Sequence, residues 1–147
     1  METLILAALG LVAGAAIPVQ ASMNATVGRA LGRPEWAALV NFLVGSGALA
    51  CLLLVQRSAV PPAEAWGRAP WWAWGGGFLG AFFVAVTVLL TPRLGVLATL
   101  TLMLLGQLAA SSVLDHNGLL GLAVRSFSPA RAVGVALVVA GVVLVRR

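Results

Sequence analysis

TLILAALGLVAGAAIPVQASMNATVG, Thr3 to Gly28, is a run of 26 residues without one ionisable side chain. Crossing ~30 Å of hydrocarbon takes about 20 apolar residues at ~1.5 Å of rise each, so this stretch is long enough to span a bilayer. Reading outward between charged residues gives further uncharged runs at Trp36 to Gln56, Ala69 to Pro92 and Leu94 to Leu114. The last run, Ala132 to Val145, is shorter. Ser128-Pro129 extends it, because Ser is a favoured N-cap and Pro a favoured first helical residue. The expectation is an all-α membrane protein: one domain over 1–147 with five transmembrane helices at approximately 3–31, 34–56, 70–91, 93–115 and 129–147.

Composition agrees. Hydrophobic residues make up 61 % of the 147 and charged residues 9 %, against roughly 45–50 % and about 25 % in a soluble domain. The net charge of +5 comes from single arginines scattered between apolar runs, with no lysine. That is the pattern of membrane flanks, not of a phosphate-binding patch, and no nucleic-acid partner is expected. Cys51 stands alone, so there is no disulfide framework. One His and one Cys fall short of a zinc site, which takes three or four protein ligands. Neither a metal nor a cofactor is expected.

Punctuation supports the same division. Pro34, Pro70, Pro92 and Pro129 fall at first turns or boundaries of the proposed helices, and Pro61 and Pro62 lie between the second and third. Trp36 opens the second helix; Trp71, Trp72 and Trp74 open the third, where aromatic belts form. The first run carries Glu2 in place of a basic flank and is too long for a signal-peptide core, so it reads as a retained helix.

An odd number of spans puts the termini on opposite sides. The N-terminal side then holds Arg57, Arg68, Arg125 and Arg131, and the other side Arg29, Arg33, Arg93, Arg146 and Arg147. The positive-inside rule reads the difference between sides. A four-to-five split gives almost no instruction. Either one arginine dominates, or the chain inserts both ways.

Inside the spans the polar groups are amides and hydroxyls. Gln20 and Asn24 lie one turn apart on one face of the first helix. With Gln107 on the fourth they suggest a polar cavity for a solute. Asn41 and Ser111 suit a solute site or simple helix–helix glue, worth only ~0.6 kcal/mol each. Pro18 removes the hydrogen bond to the Gly14 carbonyl, making Pro18 and Gly14 a candidate hinge; the plainer reading is a kink sealed by a neighbouring hydroxyl. Asp115-His116 is an acid–base pair near a boundary, suited to proton coupling or merely to closing a helix. Gly10/Gly14, Gly28/Gly32 and Gly76/Gly80 are GxxxG pairs. Gly134 and Gly141, one heptad apart on a fifth helix without polar side chains, mark a packing or dimer-contact face. No nucleophile and base stand together at depth, so no enzyme is expected.

The ordered set is more specific than any one motif. G-x-x-x-P-x-Q-x-x-x-N runs from Gly14 to Asn24. It is followed by P-W-W-x-W-G-G from Pro70, P-R-x-G from Pro92, G-Q at Gly106-Gln107, D-H-x-G-x-x-G from Asp115 and G-x-x-L-x-x-x-G from Gly134. Together these resemble the YdcZ-like family of the drug/metabolite transporter superfamily, over nearly the whole chain. The terminal pattern is similar to the last helix of EamA-type repeats.

The resemblance implies a single five-helix repeat that needs a partner, because EamA-type transporters contain two such repeats of opposite orientation. It also implies a bacterial plasma (inner) membrane location. Distantly related small multidrug resistance proteins form antiparallel homodimers, which the balanced arginines here suit. They carry a glutamate inside the first helix. This chain has Gln20 and Asn24 there, so an uncharged or zwitterionic metabolite, or an anion, fits better than a drug cation. Transporters of this kind bind substrate at the repeat interface near the midplane. The expected function is half-size transport of a small polar or amphipathic metabolite by alternating access, with helices 1–4 forming the cavity and helix 5 the dimer contact. The alternatives are a non-transporting scaffold or accessory subunit, and one half of a heterodimeric transporter.

Overall fold

The computed structural model describes residues 2–125 and 128–145. The described residues are helical, without strands: α1 (Glu2–Leu31), α2 (Pro34–Val55), α3 (Ala63–Trp66), α4 (Gly76–Leu94), α5 (Val96–Asn117) and α6 (Pro129–Val145). Short 3-10 turns at Trp71–Gly75 and Leu119–Gly121 precede α4 and follow α5. Among the described residues, four helices are long and apolar enough to cross a membrane: Thr3–Leu31, Pro34–Val55, Trp71–Leu94 and Val96–Asn117. A shorter apolar helix covers Pro129–Leu144. Arg146 and Arg147, counted among the flanking arginines, lie outside the described residues.

The chain forms two compact units, Met1–Arg93 and Leu94–Arg147. In the first, Gly32 turns the chain with φ +73, a left-handed value that costs glycine little. Arg33 is then extended (φ −145, ψ 130) and Pro34 opens α2. Extended geometry is what the residue before a proline favours. The turn folds α2 back along α1. The buried core of this unit joins Ala37 and Ala38 to Val84 and Val88, with Val27, Phe83 and Ala85 against it.

Small residues make that core possible. A Cβ placed on Gly28 would lie 2.5 Å from Val88 Cγ1 and 3.6 Å from Ala37 Cβ. A Cβ on Gly80 would lie 3.2 Å from Phe42 Cζ. Of the GxxxG glycines, these two are at contacts. Gly10, Gly14, Gly32 and Gly76 have nothing within 4 Å of a built Cβ. Small residues in lipid permit tight van der Waals packing, and Gly28 and Gly80 leave the space that the Val88 and Phe42 side chains fill.

Two boundaries differ from the sequence reading. The connection after α2 contains a helical turn, Ala63–Trp66, that the apolar runs did not indicate. It positions Trp66 so that its ring stacks on Trp74 (centroids 5.7 Å apart, planes 14°) and its indole N–H donates to the Pro61 carbonyl at 3.2 Å. Secondly, α4 continues through Pro92 to Leu94. A proline in the last turn removes only one backbone bond; the break falls at Gly95, whose φ of +81 ends the helix.

In the second unit, α5 closes on Gly118 in the left-handed conformation (φ 60, ψ 32), whose N–H bonds the Leu114 carbonyl. A side chain there would meet Val124 Cγ2 at 2.6 Å. The chain then returns toward the end of α5, where the Arg125 N–H donates to the Asp115 carbonyl at 2.8 Å. Ser128 and Pro129 start α6 as their residue types indicate: the Ser128 hydroxyl accepts from the Arg131 N–H at 3.3 Å.

Candidate functional site

The turn at Gly32 brings the α1 amides level with Asn41 on α2. Gln20 Nε2 donates to Asn41 Oδ1 at 3.0 Å, and Asn24 Nδ2 donates to the same oxygen at 3.2 Å. The i, i+4 spacing puts Gln20 and Asn24 on one face, and a single carbonyl between the two levels collects both. Counting ~1.5 Å per residue, the cluster lies roughly 10–16 Å along the helices from the Gly32 turn. Gln20 is exposed, and Asn24 and Asn41 are half-buried.

All three amides line a cavity of about 590 Å³ between α1 and α2. Its other walls are apolar, including Val19, Met23, Val27, Val40 and Val44. No ionisable side chain lines it. Asn41 Oδ1 is occupied twice, leaving Gln20 Oε1 and Asn24 Oδ1 as acceptors and the Asn41 amide as a donor. The cavity therefore offers both hydrogen-bond polarities and no formal charge.

The helix α1 runs unbroken through Pro18. A ladder of hydroxyls follows it: Ser22 Oγ donates to the Pro18 carbonyl at 2.9 Å and Thr26 Oγ1 to the Ser22 carbonyl at 3.0 Å. The neighbouring hydroxyl thus bonds the carbonyl of Pro18 itself. Gly14 has open space where its side chain would be.

The remaining candidates lie on the second unit. Gln107 and Ser111 are exposed on α5, and the Ser111 hydroxyl donates to the Leu108 carbonyl at 3.2 Å. Asp115 pairs with Arg131 across α5 and α6 at 3.6 Å, and Arg131 Nη1 also donates to the Arg125 carbonyl at 3.3 Å. A cavity of about 390 Å³ lies beside this pair, lined by Ser111, Ser112, Asp115, Arg131 and Gly134, among others. His116 is exposed one residue on. Gly141 has nothing within 4 Å of a built Cβ. The Asp115–Arg131 pair was not legible in the sequence. Arg131 follows Asp115 by 16 residues, and only the return of the chain at Gly118 brings them together.

Among the described residues no group of three His, Cys, Asp or Glu side chains is placed to hold a metal ion.

No curated protein and no solved structure matches the chain. A family model does, over residues 5–144, and its description reads "Putative inner membrane exporter, YdcZ". That description is of a transporter, not of an enzyme, and its membrane setting agrees with the long apolar helices. The match spans nearly the whole chain: it belongs to the YdcZ family and is an integral protein of the inner membrane.

Proposed function

We propose that the chain is a half-size transporter that works as an antiparallel homodimer, moving a small neutral or zwitterionic, polar or amphipathic solute by alternating access. The observation that carries this reading is the convergence of Gln20 and Asn24 on Asn41 in an otherwise apolar cavity. Unpaired amides in lipid cost several kcal/mol. Groups left with spare donors and acceptors at depth therefore call for a polar occupant or water. Without a charge in the cavity, an ion has no counter-charge, whereas a hydroxyl, amide or zwitterionic solute finds partners.

In this reading α6 is the fifth span, Arg131 sits at one of its interfaces, and the four-to-five arginine split permits both insertions. Gln107 and Ser111 are further solute-binding residues in this reading, Pro18 and Gly14 the hinge, and Gly134 and Gly141 the dimer contact. The second copy covers the open side of the amide cavity. Asp115 and His116 close α5, with Arg131 as a structural tie; proton coupling through them is the second role. A non-transporting scaffold, or a subunit paired with a homologous chain, is the competing function, favoured by the fact that the amides already bond one another as glue.

Terminal-tag accessibility in cells tests the assembly. Equal labelling of the C-terminal tag from both membrane faces is expected, and a single orientation would remove the homodimeric version. A thermal-stability screen of the purified chain against polyols, amides and zwitterionic amino acids tests the solute class: stabilisation is expected from at least one of these solutes.

A further inference from the structure

A groove of about 320 Å³ opens where α1 and α4 end and α2 begins. Arg29 and Arg93 both line it, beside Gly32, Pro34, Val88 and Leu89. Arg29 is held from behind: its Nη2 donates to Thr26 Oγ1 at 3.0 Å, at the foot of the hydroxyl ladder that starts at Pro18. Neither arginine has an acidic partner among the described residues. The carboxylate nearest Arg29 in sequence, Glu35, is taken by Arg33 at 3.5 Å, and the one nearest Arg93, Asp115, by Arg131 at 3.6 Å.

Two unneutralised guanidinium groups thus share one groove at the end of the spans. Guanidinium forks match phosphate oxygens. Away from the arginines, the apolar lining consists of the exposed Leu89 together with the buried Ala25 and Val88 and the prolines Pro34 and Pro92. Gly32, also in the lining, has nothing within 4 Å of a built Cβ. A free phosphate would use the arginines alone. A ligand with a phosphate head and hydrocarbon tails uses both parts, and basic pockets between transmembrane helices suit anionic headgroups.

We propose that the Arg29–Arg93 groove is a binding site for the phosphate headgroup of an anionic phospholipid, with an acyl chain lying along the exposed Leu89. The site is separate from the amide cavity and does not depend on what that cavity carries.

The test is titration of the purified full chain with short-chain phosphatidylglycerol, phosphatidylcholine and inorganic phosphate, read as a shift in thermal unfolding. Phosphatidylglycerol should raise the midpoint, and phosphatidylcholine and inorganic phosphate should not. Arg29→Gln and Arg93→Gln should each weaken phosphatidylglycerol at least about tenfold, which is ~1.4 kcal/mol. Arg57→Gln, outside the groove, should leave it unchanged. Native mass spectrometry of the wild-type chain in mixed micelles serves if a variant does not fold; it should retain phosphatidylglycerol over phosphatidylcholine. Equal retention of the two lipids, undiminished binding in both glutamine variants, or an equal effect of inorganic phosphate would each overturn the proposal.

Discussion

Gln20 and Asn41, twenty-one positions apart, are joined by a 3.0 Å amide hydrogen bond from α1 to α2. Asn24 adds a second bond to the same Asn41 oxygen, so removing Asn41 leaves two donors without their acceptor. Interhelical bonds of this kind average ~0.6 kcal/mol and reach ~1.7. A double-mutant cycle of Gln20→Leu and Asn41→Leu, read by unfolding in detergent, should give a coupling of about 0.5–1.5 kcal/mol. A coupling of zero would mean that the bond contributes nothing to stability.

Glycine substitutions should divide by contact. Gly28→Ala puts a methyl 2.5 Å from Val88 Cγ1 and should cost about 1–3 kcal/mol through overpacking. Gly14→Ala meets nothing within 4 Å and sits inside a helix, so it should be neutral or stabilising by roughly 0.5–1 kcal/mol. Thermal midpoints of the two variants decide this. Equal destabilisation would contradict the assigned packing.

The Asp115–Arg131 pair is partly solvated, with side chains 39 % and 42 % exposed. Such pairs contribute about 0–1 kcal/mol. Asp115→Asn should therefore leave the unfolding midpoint nearly unchanged, and solute flux, with or without an imposed pH gradient, should match wild type. A wild-type response to the gradient that is lost in Asp115→Asn with the fold intact would reassign Asp115 from helix closure to proton coupling.

The helical class was legible because uncharged runs of bilayer length leave few alternatives. The starts of α2 and α6 were legible because Pro34 and Pro129 carry a local signal that needs no tertiary context. The end of α4 was not, since Pro92 is tolerated in a last turn and the break waits for Gly95. At the site, spacing within α1 put Gln20 and Asn24 on one face. That Asn41 completes the cluster depends on the register of α2 against α1, set by the Gly32 turn and by the Gly28 packing, which no local pattern encodes. The Arg29–Arg93 groove was hidden for the same reason: its halves are sixty-four positions apart and meet only through α4.

The central claim is that the amide cavity passes solute, and the most direct measurement is flux through the pure chain in proteoliposomes. Uptake of a polyol, an amide and a zwitterionic amino acid would be compared between wild type and Asn41→Leu. At least one solute should enter faster than into protein-free vesicles, and Asn41→Leu should reduce that flux about tenfold, equivalent to ~1.4 kcal/mol, with the dimer retained. Equal flux in wild type and Asn41→Leu, or no flux of any of the three in wild type, would contradict the account.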